Sequence, residues 1–389
     1  MFFNDIYERK NLMGIFNVKT KIVFGDGLDT VMDQIQKAFI VADPFMVSSG
    51  KIAYVTECME RAGKPYQVFS EVTVDPGIEV VTAGVSSIIE FQPDTVICFG
   101  GGAAIDAAKA IVYFAAKTHQ TSDLLFVAIP TTSGTGSEVS RFSVITDRER
   151  SIKYPLIDDS LVPDLAILDA SLVTSAPPAI TADTGIDVLT HAIEAFVSTG
   201  HNDFTDAVAE KAIKLVKKNL LLCFSDPQNL EARQGMHNAS CLAGIAFSNA
   251  GLGLNHGMAH ALGAHFHIPH GRANGILLPY VMSFNAGCAE QLTPTVNRYA
   301  EIARLMEMES PSIRQSALNV IRTTRKYMEK LNIPTSIRAA GVSETEFEAA
   351  LDAMTASALA DRCTASNPRS CTAEEIKNVF RKAYVGKLP

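Results

Sequence analysis

No CxxC pair occurs in this chain. Its seven cysteines, Cys58, Cys98, Cys223, Cys241, Cys288, Cys363 and Cys371, are scattered and odd in number. They predict neither a thiolate zinc site nor a disulfide framework, and reduced thiols in a cytoplasm are the simplest reading. No segment reaches the roughly 18–20 uninterrupted apolar residues of a spanning helix. The N-terminus lacks a secretory pattern, because Asn4, Asp5, Glu8, Arg9 and Lys10 interrupt it. A Lys/Arg block is also missing. Acidic residues outnumber Lys and Arg by 42 to 34, for a formal charge of −8, a balance that disfavours nucleic acid and anionic membrane as partners. There is no internal repeat and no low-complexity tract.

What is present is a long, apolar sequence. With 389 residues, 47% hydrophobic and 20% charged, it suits two domains, or three, at roughly 150 residues each. The first 180 residues alternate short β-rich runs with helical stretches. Strands are expected at Ala38–Ala42, Gln67–Phe69, Thr95–Phe99, Leu125–Ile129 and Leu165–Leu168, and an Ala-rich helix over Ala103–Lys117. Such alternation predicts βαβ units and a mostly parallel sheet. From Ile180 onward the β-rich runs stop. Helices at a 3.6 period are expected over Asp183–Ser198, Asp203–Leu222, Asn229–Asn249, Gly257–Leu262, Pro311–Leu331, Glu344–Ala360 and Ala373–Lys382. Pro177–Pro178 marks a natural boundary. The expected domains are α/β over residues 1–180 and all-helical over 181–389, with a small-molecule site in the cleft between them.

Gly100, Gly101 and Gly102 follow a buried-looking strand and open a helix. Without side chains there, backbone N–H groups can approach a phosphate, and the helix N-terminus adds partial positive charge. The run is not GxGxxG, and a plain strand-to-helix turn is an even alternative. Two features add weight. The stretch from Pro130 through Thr131, Thr132, Ser133, Gly134 and Thr135 to Glu138 also follows a strand and is crowded with hydroxyls and glycines. Asp43 ends another strand, where a carboxylate can bind an adenosine ribose and repel a 2′-phosphate, although an N-cap before Pro44 is the commoner use of such a residue. The acid usually follows the glycines by roughly 20 residues. Here it precedes them, so the expected sheet is differently wired. The N-terminal part reads as a Rossmann-like, dinucleotide-binding domain.

Asp187 and His191 stand four apart on a helix otherwise lined by Val188, Leu189, Ala192 and Ile193. A polar pair on a buried face either compensates itself or binds something. Five of the nine histidines, His256, His260, His265, His267 and His270, crowd one short segment among glycines. Imidazoles with a carboxylate suit Fe²⁺, Zn²⁺ and similar ions. Spacing alone does not select three histidines from five; one from HxxxH and one near the Pro269–Gly271 turn are favoured.

With these segments in hand, the chain resembles the iron-containing (group III) alcohol dehydrogenases from about Phe16 to Lys382. The likeness rests on FGGGAAIDAAKA, AIPTTSGTGSE, TGIDVLTHAIEAF and AFSNAGLGLNHGMAHALGAHFHIPHGRANGILLP, in that order. Within the family, FSEVTVDPGIEVVTAGV, IKYPLIDDSLVPDLAILD and HNDFTDAVAEKA look most like the 1-propanol dehydrogenases of propanediol-utilising bacterial microcompartments. The resemblance implies metal ligation by Asp187, His191, His256 and His270, with His260 as a catalytic group near the substrate and His265 and His267 as supporting or structural residues. It implies cofactor binding by Asp43, Gly100, Gly101, Gly102, Thr131, Thr132, Thr135, Ser140 and Lys153. Ser140 replaces a family Thr, and GGGAA replaces GGGS, which removes one hydroxyl near the phosphates. The implied cofactors are NAD(H) and a divalent metal, iron ahead of zinc. The implied reaction is hydride transfer between short primary alcohols and aldehydes, with propanal/1-propanol or acetaldehyde/ethanol first. A functionalised aldehyde (lactaldehyde, butanal or sulfoacetaldehyde) is the alternative. Expected partners are the small substrate, further copies of the chain in a homodimer or larger homo-oligomer, and a microcompartment shell or enzyme. The expected location is the cytoplasm, inside a microcompartment if the closer likeness holds.

A metal-dependent hydrolase would use the same Asp/His cluster to activate water, but would not need Asp43, the triple glycine and the Thr-rich loop together. A non-catalytic scaffold would leave the four-ligand set unexplained. For an anionic substrate, Arg141, Lys153 and Arg272 are the nearest cations in sequence. In Met1–Met13, residues Phe2, Phe3, Ile6, Tyr7 and Lys10 recur at helical spacing. That extension reads as a docking peptide, or more simply as a frayed tail or a misassigned start, for which Met13 would serve.

Overall fold

The computed structural model describes residues 14–25, 27–73, 75–119, 124–150 and 152–388; the proposed docking peptide Met1–Met13 lies outside them. The α/β part runs β1 (Lys21–Phe24), α1 (Leu28–Val31), β2 (Ala38–Ala42), α2 (Pro44–Ser48), α3 (Ala53–Arg61), β3 (Tyr66–Phe69), α4 (Ile78–Phe91), β4 (Thr95–Gly100), α5 (Gly102–His119), β5 (Leu125–Pro130), β6 (Phe142–Asp147), β7 (Ile152–Ile157) and β8 (Leu165–Leu168). Six strands form one parallel sheet in the order β1-β8-β5-β4-β2-β3, and β6 and β7 form a separate antiparallel hairpin.

Side-chain alternation gives the sheet two cores. Phe39, Val41, Val96 and Cys98 pack under Ile88 of α4 and Ile105 and Ile111 of α5. Ile40, Ile97, Phe99 and Val127 pack on the opposite face against Val55 and Met59 of α3. Strands covered on both faces read as unbroken apolar runs, which is why AFIVA and TVICF stand out. The strands not expected lack that signal. β1 is a part-exposed edge strand with Phe24 in solvent. β6 and β7 mix Ser, Thr, Asp, Lys and Pro with apolar residues.

The helical part comprises α6 (Pro178–Val197), α7 (Asp203–Ser225), α8 (Leu230–Ala250), α9 (Leu254–Phe266), α10 (His270–Ala286), α11 (Val296–Leu305), α12 (Ile313–Lys330), α13 (Glu344–Ala360) and α14 (Ala373–Val385). Pro178 is the first residue of α6, a position its fixed φ favours, so the helix begins before the expected Asp183. α9 extends past the expected Gly257–Leu262 at both ends. Two helices were not expected. α10 is buried almost all round and carries Pro279 inside it, and a helix apolar on every side has no 3.6 alternation to read. α11 does bury a periodic set, Val296, Tyr299, Ile302 and Ala303. Among the described residues no helix is long and apolar enough to cross a membrane.

Candidate metal centre and nucleotide cleft

Three helices converge on one point. Asp187 and His191 lie one turn apart on α6, His256 sits in the first turn of α9, and His270 opens α10. Glycines permit the approach of α10 to α6: a Cβ on Gly271 would lie 2.0 Å from the Asp183 carbonyl oxygen, and one on Gly275 would lie 3.0 Å from Ile186 Cγ2. One ligand atom from each of Asp187, His191, His256 and His270 lies within 4.8 Å of all the others. The Nε2 atoms of His191, His256 and His270 stand 4.0, 3.9 and 3.7 Å from the Asp187 carboxylate. Tetrahedral ligands with bonds of about 2.1 Å lie roughly 3.4 Å apart, so the cluster is close to ligating geometry.

The donor chemistry fits a divalent cation. Asn274 Nδ2 is 2.7 Å from Asp187 Oδ1 and 3.1 Å from both His256 Nε2 and His270 Nε2. An amide nitrogen carries two hydrogens, so three acceptors share fewer donors, in a place with little water. Burial drives the His191 and His256 rings below their ordinary pKa and the Asp187 carboxyl above its own. Neutral imidazole is the form that ligates, and a cation would offset the cost of the carboxylate. Asp187, His191 and His256 are almost fully buried, whereas the His270 side chain is 44% exposed. The cluster therefore opens on the His270 side.

Glu194, also on α6, is a buried neighbour of the cluster that sequence reasoning missed. Its Oε2 bonds His256 Nδ1 and its Oε1 accepts the Asn255 N–H at 2.8 Å. The first bond fixes the tautomer that turns His256 Nε2 toward Asp187. The signal was present in TGIDVLTHAIEAF, where Glu194 follows Asp187 by two helical turns on an apolar helix.

A second site lies at the carboxyl edge of the sheet. Asp43 caps α2, with Oδ1 accepting the Met46 N–H at 3.1 Å, so the commoner use of such a residue holds. The same carboxylate also faces the glycine turn: a Cβ on Gly100 would stand 3.0 Å from Asp43 Oδ2. β2 and β4 are neighbours, with β3 outside one and β5 outside the other, which makes this the switch point where a crevice opens. An acid that precedes its glycines in sequence thus comes to lie beside them. A Cβ on Gly102 would strike Thr135 Cγ2 at 2.5 Å, whereas one on Gly101 would meet only Thr132, at 3.5 Å. Thr131 donates its N–H to the Gly100 carbonyl at 3.0 Å. Its buried hydroxyl has no partner among the described residues. Bare backbone and an unpartnered hydroxyl in one crevice fit a phosphate-bearing ligand.

Ser140 is buried instead against Lys109, whose Nζ donates to the Ser140 hydroxyl at 3.2 Å and to its carbonyl at 2.7 Å. One turn earlier on α5, Asp106 accepts from Ser137 Oγ at 2.7 Å and from the Val144 N–H at 3.0 Å. Buried Lys109 and half-buried Asp106 staple the Thr-rich loop and the β6–β7 hairpin to α5. Desolvation pulls Lys109 down to about 8 and pushes Asp106 up. Lys153 lies on β7 opposite Thr146; its side chain is outside the described part.

The crevice and the metal cluster are tied together. The Thr-rich loop packs on α6, since a Cβ on Gly134 would meet Thr184 Cβ at 2.7 Å. Ser133 Oγ bonds His237 Nδ1 of α8 at 2.9 Å. Burial pushes His237 down to about 4. An unfolded histidine takes up a proton near pH 6.5, while folded His237 resists protonation until about pH 4. The stability contributed by keeping it neutral is present above pH 6.5 and drains away as the pH falls toward 4, by up to about 3 kcal/mol. Urea melts of His237→Asn should show a flatter stability profile across that window; a profile as steep as that of the unmodified protein assigns the slope elsewhere.

Of the remaining histidines, His260 directs Nδ1 to Asp361 Oδ2 at 2.8 Å, and its ring lies 5.4 Å from that of His270 and 5.9 Å from that of His256. His267 is the left-handed C-cap of α9, and His265 is exposed in the last turn of that helix. Neither belongs to the metal-spaced group. Arg272 is paired with Asp183 at 3.1 Å.

Residues 19–170 match the family described as iron-containing alcohol dehydrogenase, and residues 181–384 match the Fe-containing alcohol dehydrogenase family, C-terminal. The chain is 43% identical to 1-propanol dehydrogenase PduQ of Salmonella typhimurium, over 95% of this chain and 100% of that protein. It is 41% identical to the NADPH-dependent butanol dehydrogenase of Clostridium saccharobutylicum, over 87% and 88%. The crystal structure of a 1,3-propanediol oxidoreductase superposes with a TM-score of 0.88 at 33% identity, covering 96% of this chain and 100% of that one. A Rossmann-like sheet joined to a helical part with a buried Asp/His cluster defines a metal-dependent oxidoreductase. The chain belongs to the iron-containing alcohol dehydrogenase family. It interconverts alcohols and aldehydes, so the hydrolase and scaffold alternatives fall.

Proposed function

We propose that the chain is an NAD(H)-dependent, Fe²⁺-loaded dehydrogenase of short primary alcohols, acting on propanal/1-propanol or acetaldehyde/ethanol. The observation that carries this reading is the convergence of Asp187, His191, His256 and His270 on α6, α9 and α10, with the Thr-rich loop packed on α6 at Gly134. Residues 1–180 would bind the cofactor and 181–389 the metal. A bound divalent ion supplies positive charge that favours negative charge on the substrate oxygen, and a nicotinamide supplies or accepts hydride. The protein does the rest. Asp187 and the three Nε2 atoms hold the ion, and Glu194 holds His256. The Gly100–Gly102 turn offers N–H groups to phosphate. Asp43 accepts from a ribose hydroxyl and repels a 2′-phosphate. Thr131, Thr132, Thr135 and Lys153 complete the cofactor site, Ser140 supports it from beneath through Lys109, and His260 exchanges a proton with the substrate at Nε2. Substrate size follows the propanol, butanol and propanediol in the relatives' names. Iron follows the family, while the ligand set also accepts zinc. The likeness to 1-propanol dehydrogenase PduQ is compatible with a place in the cytoplasm, inside a microcompartment, and the chain would work as a homodimer or larger homo-oligomer.

Elemental analysis with an NADH-oxidation assay over C2–C4 aldehydes tests the core of this reading; metal-replete protein that leaves NADH untouched with every aldehyde would end it. Coenzyme choice has its own test, since one relative uses NADPH. Asp43→Gly should narrow the NADH/NADPH ratio of kcat/KM by roughly tenfold, the effect of removing one like-charge contact worth about 1.4 kcal/mol. An unchanged ratio would show that Asp43 does not face the ribose.

A further inference from the structure

Oxidation of an alcohol releases a proton as well as a hydride, and the proton needs a fixed acceptor. We propose that Asp361 is a positioning residue for this reaction, holding His260 so that its Nε2 takes the proton from the alcohol hydroxyl and returns it to the aldehyde oxygen in reverse. The proposal rests on the role given to His260 above. Asp361 lies between α13 and a short 3₁₀ turn, Arg362–Ser366. Both of its oxygens are engaged: Oδ1 accepts the Cys363 N–H at 2.8 Å and Oδ2 the His260 Nδ1–H at 2.8 Å. The turn is pressed against α9, since a Cβ on Gly257 would lie 2.2 Å from Thr364 Oγ1 and 3.1 Å from the Ala358 carbonyl. Gly257 and His260 are three apart on one helical face, so this close packing sets the reach from Asp361 to the ring.

With Nδ1–H committed to the carboxylate, Nε2 carries the lone pair. Its ring lies beside those of His256 and His270, on the open side of the cluster. As the O–H bond breaks, an N–H bond forms at Nε2; the imidazolium charge is offset by Asp361, and the hydride goes to the nicotinamide. The side chain is 43% exposed, so the proton then passes to water. His260, Asp361 and Cys363 also have the spacing of a metal site. Burial raises the Cys363 thiol pKa and holds it protonated, however, a poor state for a metal ligand.

Asp361→Asn keeps an oxygen for the Cys363 N–H and removes the carboxylate charge. Its kcat with propanal should fall on the order of 10–100-fold, a share of what a positioned acid–base group provides, with KM, metal content and NADH binding little changed. Asp361→Glu should recover part of the loss. In a His260→Ala background, Asp361→Asn should cost nothing further. In ¹⁵N-histidine spectra of the zinc-loaded enzyme, His260 should show the Nδ1–H tautomer, and Asp361→Asn should lose it. A normal kcat in Asp361→Asn alongside a slow His260→Ala overturns this proposal alone, as do additive losses, metal lost in step with activity, or the Nε2–H tautomer in the unmodified enzyme. A fully active His260→Ala overturns both this proposal and the His260 role it rests on, leaving the metal site standing.

Discussion

His256→Ala should lose its metal and its activity together. His256 is nearly inaccessible, and its two nitrogens face different partners, Glu194 on one side and the Asp187 cluster on the other. Truncation removes one ligand of four and leaves two carboxyl groups in a dry interior without their imidazole. A cation acting on a developing oxyanion is worth several kcal/mol, so kcat should fall roughly 10³-fold or more. The check pairs elemental analysis with the aldehyde-dependent NADH assay. Full activity in a metal-free His256→Ala protein would remove the basis for the mechanism.

Glu194→Gln should give the second-largest effect, through a residue that touches neither substrate nor cofactor. The glutamine amide cannot serve both His256 Nδ1–H and the Asn255 N–H as the carboxylate does, so the ring loses its anchor. Partners of metal-ligating histidines are worth about 10–100-fold in metal affinity. Chelator competition followed by dialysis should show faster metal loss, while excess Fe²⁺ restores a large part of the rate. An unchanged rate of metal loss would mean that α6 and α9 hold the His256 ring in place without help from Glu194.

Much of the architecture was legible without coordinates because the relevant physics is local. AFIVA and TVICF announce strands buried on both faces. Ser343 and Thr372 stand at helix starts with Glu346 and Glu375 three residues on, and both form reciprocal caps. Two missed elements have a physical reason: the apolar residues of α10 have no period, and β1 is half in solvent; α11 was missed although its apolar residues do recur at helical spacing. The buried Lys109 and half-buried Asp106 escaped because each looks like an ordinary exposed residue of an Ala-rich helix until the β6–β7 hairpin covers it.

By itself the sequence determined the donor types, the polar pair on one face of α6, the bare turn after a buried strand, and the family. Which of five crowded histidines join Asp187 was decided only by tertiary packing, because spacing along the chain orders residues on one helix and says nothing about where the next helix lies. Gly271 and Gly275 let α10 close onto α6 and carry His270 to Asp187, Glu194 turns His256 inward, and Asp361 turns His260 outward. The same holds for Asp43, which reaches the glycine turn only because β2 and β4 are adjacent in the sheet.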